Sequence, residues 1–321
     1  MANTFAPNGF SQYQGTGSAP TYEQVQMAIA TANTTKIFTG DPVVQACGTT
    51  GLGTGYITQA YGPVTLTVAA TAITSNATTG AITVTFTAPA ATSGNLPTSP
   101  NTWAPPVGAT LIIQGSTMTS GNLNGYYTIT SSTTTTAVAI ASGNTINATS
   151  TASGTVTVVV PIAGIFVGCK FLSTLQKRTN WYPFWNGSDA NGDVTAYVIN
   201  DPNAQFSVQT ANSNTTATAM GISNVGQTIS FNFADSVNAG SNGNTTSGLS
   251  TFFADQYSLI ANSSAGATTN AFLPFKIVGL QNYIPGQTSP LVSINGNDST
   301  TAYNRIIVGF NNSMNRVGVG I

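Results

Sequence analysis

From residue 42 to residue 169 the chain carries not one Asp, Glu, Lys or Arg. A stretch of this length without charge takes its polar surface from Ser, Thr, Asn and Gly. Its Thr, Val, Ile and aromatic residues favour strands, and its Gly and Asn supply turns, so the bias points to an all-β fold. The rest of the chain differs only in degree: charged residues make up 5% of the 321, against ~25% in ordinary globular proteins. Hydrophobic residues reach 41%, which sets the chain apart from the highly charged, weakly hydrophobic composition of common disorder.

Inside the uncharged stretch, Ile82, Val84 and Phe86 alternate with Thr83, Thr85 and Thr87, the period-2 signature of a half-buried strand. The pattern returns at Leu111 and Ile113, Tyr127 and Ile129, Val138 and Ile140, and Val156, Val158 and Val160. Turn clusters such as residues 75–80 and 121–125 separate the runs. Roughly six to seven strands at this spacing predict a sandwich or a small barrel. Residues 63–160, bracketed by Pro63 and Pro161, read as an inserted uncharged β-domain of sandwich type that enters and leaves its parent at adjacent points.

The parent fold, residues 21–62 and 161–321, reads as a β-barrel or sandwich. Its strands are expected at residues 36–39, 42–44, 162–171, 196–199, 206–208, 229–233, 274–280 and 304–311, with no helix longer than two turns. Residues 21–32 fit neither a clean helix nor a clean strand. Residues 1–20, rich in Asn, Gly, Gln, Ser and Pro, read as an extended arm whose Phe5, Phe10 and Tyr13 anchor it on a neighbour.

Several function classes are excluded or weakened. A formal net charge of −1 leaves no electrostatic footprint for nucleic acid or an anionic membrane. Residues 155–168, the longest apolar run, are too short for a membrane span and are interrupted by Pro161. The first ten residues lack a basic segment followed by an apolar one, so the expectation is a soluble protein made in the cytoplasm. Cys47 and Cys169 read as buried free thiols, since two cysteines do not make a disulfide framework.

The chain has no histidine, which removes the usual nucleophile–histidine arrangements and the commonest metal ligand. Asp189 and Asp193 sit in a Gly/Asn loop that resembles the start of a calcium loop. A calcium loop needs Gly at its sixth position and Glu at its twelfth, and Val194 and Asn200 stand there instead. The expectation is therefore no enzyme, no metal and no cofactor, with hydrolysis by this acid pair the weakest reading. Residues 163–202 gather two of the three tryptophans and three of the seven basic side chains. Within them Trp181, Tyr182, Phe184 and Trp185 read as a core or subunit-interface cluster in preference to a carbohydrate groove. Lys177 and Arg178 beside them read as a solvated turn by default, or as part of an interface hot spot.

Five short motifs in order carry a resemblance: Gly40-Asp41-Pro42-Val43; residues 164–170; residues 181–185; Ala196-Tyr197-Val198-Ile199-Asn200-Asp201-Pro202 with residues 206–209; and residues 302–304 followed by 310–312. Together they resemble a family of tailed-bacteriophage head proteins that act as capsid cement or decoration. The resemblance covers about 1–62 and 161–321; residues 63–160 depart from it and are similar to small β-domains scattered among phage structural proteins. It implies a virion protein on the capsid exterior whose partners are the major capsid protein and its own copies. A homotrimer near local threefold positions is favoured and a dimer comes second. The alternative from another class is a receptor-binding or glycan-binding β-module.

Overall fold

The computed structural model describes residues 3–14, 24–45, 55–91, 103–117, 123–140, 150–213, 215–233, 243–259, 272–281 and 300–314. The fold is nearly all β. The chain divides into two compact units, one of Met1–Val44, Ile57–Ala60 and Ile162–Ile321, the other of Gln45–Tyr56 and Tyr61–Pro161. Cys47 lies outside the described residues.

The strands before the insertion are β1 (Ser11–Gln14), β2 (Gln24–Ile29), β3 (Ile37–Phe38), β4 (Pro42–Gln45) and β5 (Ile57–Gln59). The inserted unit supplies β6 (Val64–Asn76), β7 (Ala81–Ala91), β8 (Thr110–Thr117), β9 (Gly125–Ser132), β10 (Thr136–Ile140) and β11 (Ser150–Val159). The parent unit resumes with β12 (Ile162–Leu172), β13 (Thr179–Tyr182), β14 (Phe184–Trp185), β15 (Val194–Ile199) and β16 (Gln205–Ala211). It ends with β17 (Thr228–Phe233), β18 (Phe252–Asp255), β19 (Phe275–Leu280) and β20 (Arg305–Phe310).

The insertion, expected as a small sandwich, is corrected to a closed barrel. Its strands close in the order β10-β7-β6-β11-β8-β9, a ring with no free edge. Ile82, Val84, Phe86, Leu111, Ile113, Ile129, Val156 and Val158 point inward and are buried, as their alternation predicts. In β10 the expectation is corrected: Val138 is only half-buried, while Ala137 and Ala139 are buried. The pairing explains this. Ala137 lies opposite Val84 and Ala139 opposite Ile82, so these alanines share the inward face with two bulky neighbours. Trp103 closes the unit's interior, donating from Nε1 to the Tyr61 hydroxyl at 3.2 Å. Val64 and Val158 are direct pairing partners, so the chain enters and leaves the barrel side by side.

The parent unit contains two larger sheets. In one, β16, β18, β17, β19 and β20 pair in turn and β20 returns to β16, with β1 added along β16. Its interior is phenylalanine-rich: Phe206 meets Phe310 edge-on with ring centres 5.1 Å apart, and Phe231 meets Phe252 at 5.5 Å. Such aromatic pairs contribute beyond their buried area. The other sheet runs β2-β15-β12-β4-β5, with β13 also paired to β12. The ambiguous stretch around Met27 is β2, a strand at the end of this order, where only Ile29 is fully buried. Its weak alternation reflects that position.

Candidate interaction surface

The end of β12 carries Cys169 and Phe171 inward and Lys170 and Leu172 outward, because successive strand residues face opposite sides. β13 folds back on it with Trp181 opposite Lys170 and Thr179 opposite Leu172. On the inner side, Phe171 stacks on Tyr182 at 5.6 Å and meets Trp185 edge-on at 5.5 Å. On the outer side Trp181 is 58% exposed and Leu172 41%. The Trp181 ring is seated against Gly168: a methyl group there would lie 2.7 Å from its Cζ2. The absence of a side chain at Gly168 is what lets the indole lie against the sheet.

The tip of this hairpin is tied down from below. Ser173 donates its amide to the Arg178 carbonyl at 2.9 Å and accepts the Lys177 amide on its own carbonyl at 3.0 Å, with Lys177 in the left-handed region at φ 56°. Asp189 binds the tip from the following loop. Its carboxylate accepts the Ser173 and Thr174 hydroxyls, each at 2.7 Å, and the Leu175 amide at 2.9 Å. Those three bonds hold its pKa below the ordinary carboxylate value, the Ser173 hydroxyl foremost. Thus Asp189 acts as a clamp on the hairpin. Asp193 accepts from the Thr31 hydroxyl instead, at 3.3 Å.

What the hairpin presents is an aromatic ring, two leucines and three cations. Leu175 at the tip is 83% exposed, and Lys170, Lys177 and Arg178 of the same hairpin are exposed as well. Arg178 Nε donates to Gln176 Oε1 at 3.0 Å, which fixes the guanidinium stem. This is contact chemistry. Beneath it the Cys169 thiol donates to the Phe184 carbonyl at 3.5 Å, and burial pushes its pKa up to about 12, leaving it a poor nucleophile.

The expected interface residues separate into three groups. Lys177, Arg178 and Trp181 come together on the hairpin. Tyr182 and Phe184 are half-buried, Phe184 stacking on Phe38 at 5.5 Å. Trp185 and Phe10 are corrected to core positions. Trp185 is 0% exposed and donates from Nε1 to the Asn33 carbonyl at 2.9 Å. Phe10, 3% exposed, stacks on Phe275 at 4.4 Å, so the arm is anchored on its own unit there. Phe5 likewise packs against Phe253 and Tyr303 at 5.8 and 5.3 Å, while Tyr13 stays exposed. Lys170, Leu172 and Leu175 belong to the surface and were missed. Counting strand parity back from the turn would have placed the first two beside Trp181.

A second feature lies in the same unit, away from any exposed surface. Asp41 is fully buried, its Oδ2 accepting the Phe38 amide at 2.8 Å and Gln59 Nε2 at 2.7 Å. Its Oδ1 finds no donor in hydrogen-bond geometry, although Ser250 lies close enough to favour the charged form. Desolvation dominates and raises its pKa to about 7, against the lowering by Phe38, Ser250 and Gln59. The adjoining backbone joins separate pieces of chain: Gly40 donates to Phe166 at 2.9 Å and accepts from Phe10 at 3.0 Å, and Thr39 donates to Gly248 at 3.0 Å.

No protein-family model matches this chain, and no curated protein and no solved structure matches it.

Proposed function

We propose that this chain is a structural virion protein that binds the outside of a phage capsid lattice and stabilises the head. Its partners are the major capsid protein and further copies of itself, a trimer before a dimer. The observation that carries the reading is the Leu172–Trp181 hairpin, a rigid surface of Trp, Leu, Lys and Arg held by Asp189, which offers contact and no reacting group. The five ordered motifs of the parent unit supply the link to phage heads. Cementing needs pre-formed surface used many times over, because linked modest contacts raise retention by ~10² to 10⁴ over a single one. Imaging of purified particles tests this: the protein should sit on the head in stoichiometric, icosahedrally related copies. Finding it only in the tail would sink the reading.

One observation favours a second reading. Trp181 is exposed with its indole against Gly168, which leaves ring surface open to a sugar. A glycan-binding module should lose array binding with Trp181→Ala. Trp185→Ala does not discriminate, since it opens the core.

A further inference from the structure

We infer that the outer face of the β12–β13 hairpin docks a protein surface in which carboxylates surround an apolar contact. Lys170, Lys177 and Arg178 would pair with the acids, and Trp181 and Leu175 would cover the apolar centre. The inference names the partner chemistry of the surface described above and therefore rests on its being the contact surface, though not on the partner being a capsid.

Charge complementarity selects the occupant. The chain as a whole is close to neutral at −1, yet three of its seven basic side chains fall within residues 170–178. No carboxylate among the described residues pairs with Lys170, Lys177 or Arg178. Asp189, which binds the hairpin tip, is engaged with Ser173, Thr174 and Leu175. The cations are thus left for an external anion. Exposed Leu172 and Leu175 narrow the choice: phosphate backbones offer no apolar counterpart to them, and nucleic-acid binding of useful strength draws on more phosphate contacts than three cations supply. A protein surface satisfies both demands. Arg matches a carboxylate bidentately, and Arg with Trp is the pairing over-represented at binding hot spots. Preorganisation adds to this, because the Gly168 seat and the Asp189 clamp have already ordered the groups that contact would otherwise have to immobilise.

The test uses the full-length protein and three probes: a synthetic peptide alternating Glu and Leu, its counterpart alternating Lys and Leu, and a double-stranded DNA oligomer. Trp181 is the exposed tryptophan while Trp103 and Trp185 are buried, so a shift in its emission reports occupancy and calorimetry gives the affinity. The Glu/Leu peptide should bind. Its affinity should fall about tenfold or more in Trp181→Ala and in the double variant Lys170→Glu with Arg178→Glu. That double variant should in turn take up the Lys/Leu peptide. These side chains are exposed, and circular dichroism verifies that each variant is folded. Absence of Glu/Leu binding, binding indifferent to the charge reversal, or tighter binding of DNA through the same residues would each overturn the proposal. A protein missing from heads that still binds the Glu/Leu peptide would overturn the cement reading and leave this one standing.

Discussion

Gln59 donates to the carboxylate of Asp41 at 2.7 Å, bringing a residue from the strand just before the insertion onto a fully buried acid eighteen positions earlier. An acid in this position makes the stability of the parent unit depend on pH. Unfolded, Asp41 releases its proton near 3.8; native, near about 7. Between the two the native chain holds the extra proton, so stability is full below the lower value and is lost as pH rises through the upper one. At ~1.4 kcal/mol per unit the loss is at most on the order of 4 kcal/mol. Denaturant midpoints should be higher at about pH 5 than at about pH 8. Asp41→Asn, which keeps an acceptor oxygen for Phe38 and Gln59, should flatten that difference; an unchanged slope would show that another group titrates.

The hairpin tip should depend on Asp189. Asp189→Ala removes the acceptor for Ser173, Thr174 and Leu175 at once and frees the segment bearing Lys177 and Arg178. Trypsin should then cut after these residues several-fold faster than in the parent protein, with little change in global unfolding. The sign with pH is opposite to that of Asp41. The lowered pKa of Asp189 keeps the tip protected above the ordinary carboxylate range and exposes it as pH falls through the lowered value.

Gly164 should tolerate no side chain. At φ 154° its added methyl would lie 2.4 Å from the Ile199 carbonyl oxygen and 2.5 Å from a Val198 methyl. Gly164→Ala should therefore destabilise the parent unit by about 1–3 kcal/mol, the usual penalty for overpacking, read as a lower denaturant midpoint at unchanged slope.

Deleting residues 63–160 and joining the ends through a short Gly/Ser linker should leave the parent unit folded. Val64 and Val158 are direct neighbours, so the linker has little distance to span. Trp185 keeps its core partners Phe171 and Asn33, and its buried emission should persist after Trp103 is removed with the barrel. If the chain is the head protein proposed above, the shortened protein should still attach to heads; failure of a folded variant to do so, where the full chain attaches, would move the contact onto the barrel.

Much of the β-structure was legible because alternation is a local property. Ile82, Val84 and Phe86 announce their strand and their inward face, and the same holds for Phe231 and Phe206 in the parent unit. Where the inward set is alanine, as at Ala137 and Ala139, hydropathy points to Val138, and only the partners across the ladder reveal the true parity. The candidate surface was half legible. The aromatic and basic cluster of residues 177–185 stands out in a chain with so little charge, but Trp181 and Trp185, four positions apart, end in opposite environments.

The sequence by itself determined that this protein is built of strands, that an uncharged β-unit interrupts it, and that three of its seven basic side chains gather within residues 170–178. All of these follow from composition and period along the chain. Only the tertiary structure decided that the insertion closes as a barrel, that Phe10 and Trp185 serve the core, and that Asp41 is buried while Trp181 faces solvent. Each of those outcomes depends on which strand pairs with which, and at what register. That choice is made by the packing of residues far apart in the chain, which no local pattern records.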